Sequence, residues 1–368
     1  MSNLVLYRKY RPKTFSEIIG QEHIIQTLTN AISEDMVSHA YLFAGPRGSG
    51  KTSTARLLAK AVNCQDRKGS EPCNKCSSCL EISQGKAIDL IEIDAASNRG
   101  IDDIRSLREG IKFAPTKLKY KVFIIDECHQ LSKDAANALL KILEEPPSHA
   151  IFILATTEIH KMIPTIISRC QRFDFRKLSF SEISGKLKKI VKNEKAKVDD
   201  AVLNLIASNS EGSIRDAEGF LDQVLTYAGI LNKENIKVED IEKLLGLVNI
   251  NLVSELVNFI QNKDRAACLD FLDKILKKGR DPEELTKALV NYLRGIMIMK
   301  ISSELDNPLM AGLGKKEKEK SISHVNHFQL VELQKMLRAF MEAEEKIRYS
   351  SIPQLPLELA IIDSCEVV

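Results

Sequence analysis

The run Gly45-Pro46-Arg47-Gly48-Ser49-Gly50-Lys51-Thr52 constrains the fold of this chain more than any other stretch. It fits G-x-x-x-x-G-K-[ST], follows an apolar run of strand character (Ala40–Ala44) and precedes a helical pattern over 52–61. In that setting successive backbone N–H groups converge on phosphate oxygens with no Cβ in the way. The following helix adds its positive N-terminal end. Lys51 is expected to reach the β and γ phosphates and the Thr52 hydroxyl to ligand Mg²⁺, so the chain is read as binding ATP.

A loop of this kind belongs at the edge of a parallel sheet, and the first half of the chain alternates short β-rich runs with helical patterns. Strands are predicted over 40–44, 89–93, 121–125, 151–156 and 172–175, with a helix over 134–143 that stops at Glu145-Pro146-Pro147. The expectation is an α/β domain, a five-stranded parallel sheet with helices on both faces. After Lys177 the strand signal fades: 179–195, 199–209 and 214–228 read as three amphipathic helices, and 238–247 begins another set. Further helices are predicted over 252–261, 265–276, 282–301 and 329–348, and the mixed-charge run 312–320 reads as a solvated loop. At 368 residues the chain is too long for one core.

The partner of the glycine loop is Val122-Phe-Ile-Ile-Asp126-Glu127, an apolar strand with two carboxylates at its C-terminal end. Asp126 is expected to hold Mg²⁺ through water, and Glu127 to orient and deprotonate an attacking water. A second cluster is Cys64-x8-Cys73-x2-Cys76-x2-Cys79, enough thiolates to close a tetrahedral Zn²⁺ shell with no open position. An iron–sulfur cluster is the rival occupant, although nothing else in the sequence suggests redox work. The net charge of +3 excludes a broad polyanion-binding surface, leaving only a local patch for nucleic acid. No apolar run is long enough for a bilayer and the N-terminus lacks a secretory pattern, so the expected location is the cytoplasm, with no membrane partner.

Three further features are ambiguous on residues alone. Arg169, in Ser168-Arg169-Cys170, reads equally as a surface ion pair. Arg215, in Gly212-Ser-Ile-Arg215-Asp216, reads as a helix-surface charge. Thr156-Thr157 ends a strand next to the carboxylate strand and reads either as a hydroxyl that senses a γ-phosphate or as the cap of the next turn.

Together these pieces resemble the AAA+ ATPases, and within them the bacterial clamp loaders. The opening Tyr7-Arg-Lys-Tyr-Arg11-Pro12-Lys-Thr-Phe-Ser-Glu-Ile-Ile19-Gly20-Gln21 is similar to that family's adenine-binding box, and Ser168-Arg169-Cys170 to its arginine-finger signature. The cysteine insert directly after the loop's helix marks the bacterial branch. The resemblance implies a P-loop AAA+ domain over 1–177 carrying a zinc insert at about 64–79, a three-helix lid over 178–243 and an all-α collar over 244–368. It implies that Tyr7, Arg11, Pro12 and Ile19 hold the adenine end, that Thr157 and Arg215 sense nucleotide, and that Arg169 acts in trans on a neighbour's γ-phosphate. The implied partners are further copies of the same subunit, the delta and delta-prime subunits in a hetero-pentamer, the beta sliding clamp and primed DNA at the nucleoid. Arg105 and Lys141 sit where members contact DNA phosphates. A branch-migration motor, a helicase loader or a non-hydrolysing scaffold are the competing readings. The chain ends at Val368, where long members of the family continue, which reads as a short form or a truncated long one.

Overall fold

The structure, a computed structural model, describes residues 4–97, 110–111, 113–231, 240–241, 244–245, 250–302 and 315–367. Its sheet comprises β1 (Ala40–Ala44), β2 (Leu90–Asp94), β3 (Lys121–Asp126), β4 (Ala150–Thr156) and β5 (Gln171–Asp174), all parallel in the order β2-β3-β4-β1-β5. The central strands β1, β3 and β4 are almost continuously apolar because both faces are covered, whereas the edge strands β2 and β5 carry charged residues and are more exposed. Helices α1 (Leu6–Lys9), α2 (Glu22–Ser33), α3 (Lys51–Val62), α4 (Ser77–Gln84), α5 (Lys133–Glu144) and α6 (Pro164–Ile167) belong with this sheet. Tyr41, Phe43, Val122, Ile124, Ile151 and Ile153 pack with Ile24 and Leu28 of α2 and Leu57 and Leu58 of α3. The alternate residues Leu42, Phe123, Ile125, Phe152 and Leu154 pack with Leu139 and Ile142 of α5. The period-2 side-chain alternation of a strand thus builds two cores from one sheet.

The strand expected over 89–93 begins at Leu90 instead. Asp89 turns its buried carboxylate to accept the N–H groups of Thr116 (2.9 Å), Lys117 (2.7 Å) and Leu118 (3.0 Å), which pins the loop entering β3. The helix before the two prolines runs Lys133–Glu144, capped by Ser132 Oγ accepting from Ala135 N at 3.2 Å.

Packing divides the chain into two units, Met1–Lys186 with Ser210–Gly219, and Leu187–Asn209 with Phe220–Val368. The remaining helices are α7 (Phe180–Asn193), α8 (Asp200–Asn209), α9 (Ile214–Leu231), α10 (Ile250–Gln261), α11 (Arg265–Lys277), α12 (Pro282–Ile301), α13 (Lys315–His327), α14 (Leu330–Ile347) and α15 (Leu355–Val367). In the second unit α10 to α15 share one core that includes Leu256, Leu272, Leu293, Phe328, Phe340 and Ile361. Two sequence expectations change here. The solvated loop expected over 312–320 is helical from Lys315 onward. Lys and Glu are strong helix formers, and buried Ser321 and His324 give this helix an inward face despite its charge. The helix α15 falls in the stretch expected to be all-helical but has no expected bounds, because its apolar residues surround it: Leu357 and Ile361 are buried while Leu355 and Leu359 are exposed. Pro356 lies in its first turn, where a missing N–H breaks no bond. No helix among the described residues is long and apolar enough to cross a membrane.

The second unit also buries a polar chain. The Tyr292 hydroxyl lies 2.8 Å from His324 Nδ1, and His324 Nε2 lies 2.7 Å from Asn258 Oδ1. With Asn258 Oδ1 as acceptor, Nε2 carries the proton and Nδ1 accepts from the tyrosine, so the network is satisfied by a neutral imidazole. Burial, with His327 and Lys320 nearby, pushes the His324 pKa down to about 4. The unfolded chain binds this proton near the usual pH of about 6.5, so stability is complete above that pH and drains away as pH falls toward 4. The second unit should lose up to about 3 kcal/mol over that window, read as a falling denaturation midpoint. In His324→Gln the same window should be nearly flat.

Candidate nucleotide and metal sites

The glycine loop leaves β1 and enters α3 in backbone conformations that side chains forbid. Gly48 has φ of 73°, and a Cβ there would meet Ser213 Oγ at 1.9 Å. Gly45 N donates to Thr156 O (3.1 Å), tying the loop's start to the end of β4. Lys51 is almost fully buried, and its Nζ donates to the carbonyls of Gly45 (2.8 Å) and Pro46 (2.9 Å). Burial lowers its pKa, while the carboxylates of Glu127 and Asp126 pull the other way.

The Thr52 hydroxyl donates to Asp126 Oδ2 at 2.7 Å, closing the gap between α3 and β3. Glu127 follows in the left-handed region with φ of 48°, a conformation costing about 1–3 kcal/mol for a residue with a side chain. The kink sends its carboxylate to Thr157, whose hydroxyl donates to Glu127 Oε2 at 2.8 Å. Asp126, Glu127 and Thr52 therefore meet at the C-terminal edge of the sheet, where open α/β sheets bind ligands.

One pocket joins this edge to the N-terminal segment. Among the expected residues, Tyr7, Arg11, Pro12, Ile19, Arg47, Gly48, Ser49, Gly50, Lys51, Thr52, Asp126, Glu127 and Arg215 line it. The Arg215 guanidinium lies over the Tyr7 ring at 5.1 Å, a cation–π contact that turns the arginine into the pocket. Gly45 and Pro46 act through the carbonyls that hold Lys51, and Thr157 through Glu127, rather than as pocket wall. Arg169 stands outside the pocket, donating to Glu144 Oε1 (2.7 Å) and Thr165 O (2.8 Å). Lys141 is exposed on α5, and Arg105 lies outside the described residues.

Sequence reasoning missed three groups here. His129 is buried behind the carboxylates, with Nδ1 2.9 Å from Thr156 Oγ1 and 3.5 Å from Glu127 Oε2. Gln21 is buried and spans the loop and the strand exit, its Nε2 donating to Arg176 O (2.9 Å) while its Oε1 accepts from Arg176 N (3.2 Å). Glu218 lines the pocket one turn beyond Ile214, and burial pushes its pKa up to about 7 despite Lys186. His129 lies two residues beyond Glu127 and carried a proximity signal; a glutamate on an amphipathic helix carries none.

The four cysteines form the second site. Their Sγ atoms all lie within 4.8 Å of one another, close to the separation that a tetrahedral ion with bonds of about 2.3 Å imposes. Cys73 Sγ accepts from Lys75 N (3.4 Å) and Cys76 N (3.3 Å), and Cys76 Sγ from Cys79 N (3.5 Å). Those N–H groups bring the Cys73 thiol down to about 6, whereas burial raises that of Cys79. Four thiols this close do not all ionise unaided, and a cation resolves the conflict. The all-sulfur donor set fits a structural metal.

Family models match nearly the whole chain. That of the DNA polymerase III delta subunit matches residues 20–179, that of the DNA polymerase III clamp loader ATPase lid domain 182–230, and that of DNA polymerase III subunits gamma and tau domain III 236–368. The chain is 42% identical to DNA polymerase III subunit tau of Bacillus subtilis over 100% of its own length and 64% of that protein. It is 35% identical to DNA polymerase III subunit gamma of Buchnera aphidicola over 99% of its length and 98% of that protein. It spans about half the length of other gamma/tau relatives, 51% for that of Mycobacterium tuberculosis. With a gamma subunit matched from end to end and all three family models in their expected order, the chain belongs to the gamma/tau family of DNA polymerase III subunits.

Proposed function

We propose that this chain is an ATP-hydrolysing clamp loader subunit that opens the beta sliding clamp and closes it on primed DNA. The observation that carries the reading is the Thr52–Asp126 hydrogen bond beside a Glu127 held by Thr157. On this reading Thr52 and Asp126 are the Mg²⁺-binding hydroxyl and carboxylate, beside a second carboxylate free of that duty. Backbone N–H groups of the loop and Lys51 hold the β and γ phosphates, and a Mg²⁺ held by Thr52 and Asp126 would supply charge neutralisation there. Glu127 orients the attacking water and accepts its proton, and Thr157 reports on the γ-phosphate through that carboxylate. Tyr7, Arg11, Pro12 and Ile19 enclose the adenine end, and Arg215 ties the lid to nucleotide state.

Arg169 serves a neighbouring subunit, which accounts for its position outside its own pocket. The working assembly is a ring of further gamma/tau copies with delta and delta-prime, acting in the cytoplasm at the nucleoid. Lys141 and Arg105 serve as contacts for DNA phosphates. The functional division is an ATPase domain to residue 177, a lid over 178–243 and a collar over 244–368. The acidic pair is committed to ATP, so polymerase activity belongs to the holoenzyme's other subunits.

Assembled with delta, delta-prime and clamp, the protein should hydrolyse ATP faster when primed DNA and clamp are both present than with branched duplex alone. Glu127→Gln should bind ATP normally and lose about 10²–10⁴-fold in turnover. Stimulation by branched DNA without clamp, or full turnover by Lys51→Ala, contradicts the reading. For the cysteine site, elemental analysis should find about one zinc per chain, as one closed four-thiolate shell requires. A brown, iron-containing protein overturns that assignment.

A further inference from the structure

The cysteine module reaches beyond its own fold. Between Cys64 and Cys73 the chain reverses at Gly69, with Lys68 N donating to Glu71 O (3.3 Å) and Glu71 N to Lys68 O (3.1 Å). This fixes the backbone of Glu71 just before Cys73. The Glu71 carboxylate then leaves the module: Oε2 accepts from Phe15 N at 2.8 Å and Oε1 from Ser16 N at 2.9 Å. On the far side of Cys73, Asn74 Nδ2 donates to Lys13 O (3.1 Å) and its Oδ1 accepts from Lys60 Nζ of α3 (2.9 Å).

Phe15 and Ser16 open a 3-10 turn, Phe15–Glu17, whose N-cap residue Thr14 makes no side-chain cap. Their N–H groups are the orphan donors of that turn, and a carboxylate 55 and 56 residues away in sequence satisfies both. A charged acceptor taking two adjacent N–H groups fixes direction as well as distance. The backbone so held sits between Arg11 and Pro12 on one side and Glu17, Ile18 and Ile19 on the other, all of which line the nucleotide pocket.

We infer that the metal-binding module is a clamp on the nucleotide pocket, with Glu71 and Asn74 as positioning residues. An ion that gathers Cys64, Cys73, Cys76 and Cys79 fixes Glu71, two residues before Cys73, and Asn74, one after it, and these fix the pocket wall from residue 11 to residue 19. The inference rests on the pocket binding ATP. Because the two sites share one segment, their occupancies are linked, and the linkage is reciprocal: metal strengthens nucleotide binding, and nucleotide strengthens metal binding by the same factor.

The test uses the full Zn²⁺-loaded chain. Titration with a fluorescent ATP analogue should show Glu71→Ala binding about fivefold or more weakly than wild type at equal zinc content, with Glu71→Gln, which keeps one acceptor oxygen, between them. Zinc transfer from wild type to a colorimetric chelator should be slowed by saturating ATP, and in Glu71→Ala it should be indifferent to ATP. A purely structural glutamate would not produce that nucleotide-dependent protection. Equal affinities, with ATP protecting zinc equally in both proteins, overturn the clamp and leave the nucleotide reading intact. Wild type that binds no ATP overturns both. If Glu71→Ala fails to hold zinc, the wild-type arm decides, and equal release with and without ATP overturns the clamp.

Discussion

The hydrogen bond from Thr52 to Asp126 is the interaction on which the rest of this structure converges. These residues are 74 positions apart, and β4 lies between their strands, so the bond exists only when β1, β4 and β3 stand in the right order and register. The intervening strand takes part: Thr156 at its end accepts from Gly45 N and contacts His129. Parallel topology puts all three C-terminal ends on one edge, and two differently packed faces keep that edge from slipping. A one-residue slip of β3 would exchange Phe123 and Ile125 for Val122 and Ile124 and carry Asp126 away from Thr52.

Around that bond the site is a sequence of dependent placements. The strained backbone at Glu127 separates two adjacent carboxylates into different tasks, one toward the Thr52 hydroxyl and one toward Thr157. Gly48 lets the loop meet Ser213, and the Ile214 N–H donates to Gly48 O at 3.3 Å. The start of α9, with Arg215 and Glu218, is thereby fastened to the phosphate loop itself. The cysteine module meets the N-terminal segment of the pocket through Glu71. Both segments are positioned by residues that touch backbone, which tolerates little displacement.

Much of this was legible in sequence. The glycine loop, the apolar strands and the acidic pair are short-range patterns, and each strand appears within a residue or two of its expected bounds. Cysteine spacing pointed to the four-sulfur cluster for the same reason. What stayed hidden depends on burial set by distant residues. Glu71 and Glu218 look like ordinary surface charges until Phe15 and the pocket are placed beside them. The helix α15 lacks a polar face, and the first turns of α13 hide a helix inside a charge run. Arg169 is the opposite case: its motif was visible, but its geometry in one chain shows only the pairing with Glu144.

That pairing matters because, on the proposed function, one chain holds half an active site and a neighbour completes it. An arginine supplied in trans contributes about 10³–10⁵ in rate, so its loss should silence the neighbour's site and leave its own chain able to bind ATP. The direct measurement is ATP turnover by assemblies reconstituted from a mixture of Arg169→Ala and Lys51→Ala chains. Each variant alone should be nearly inactive. Mixed, an Arg169→Ala chain keeps an intact loop that a Lys51→Ala neighbour can complete, and the account predicts turnover well above either variant alone. Turnover no higher than the average of the two separate assemblies would contradict it.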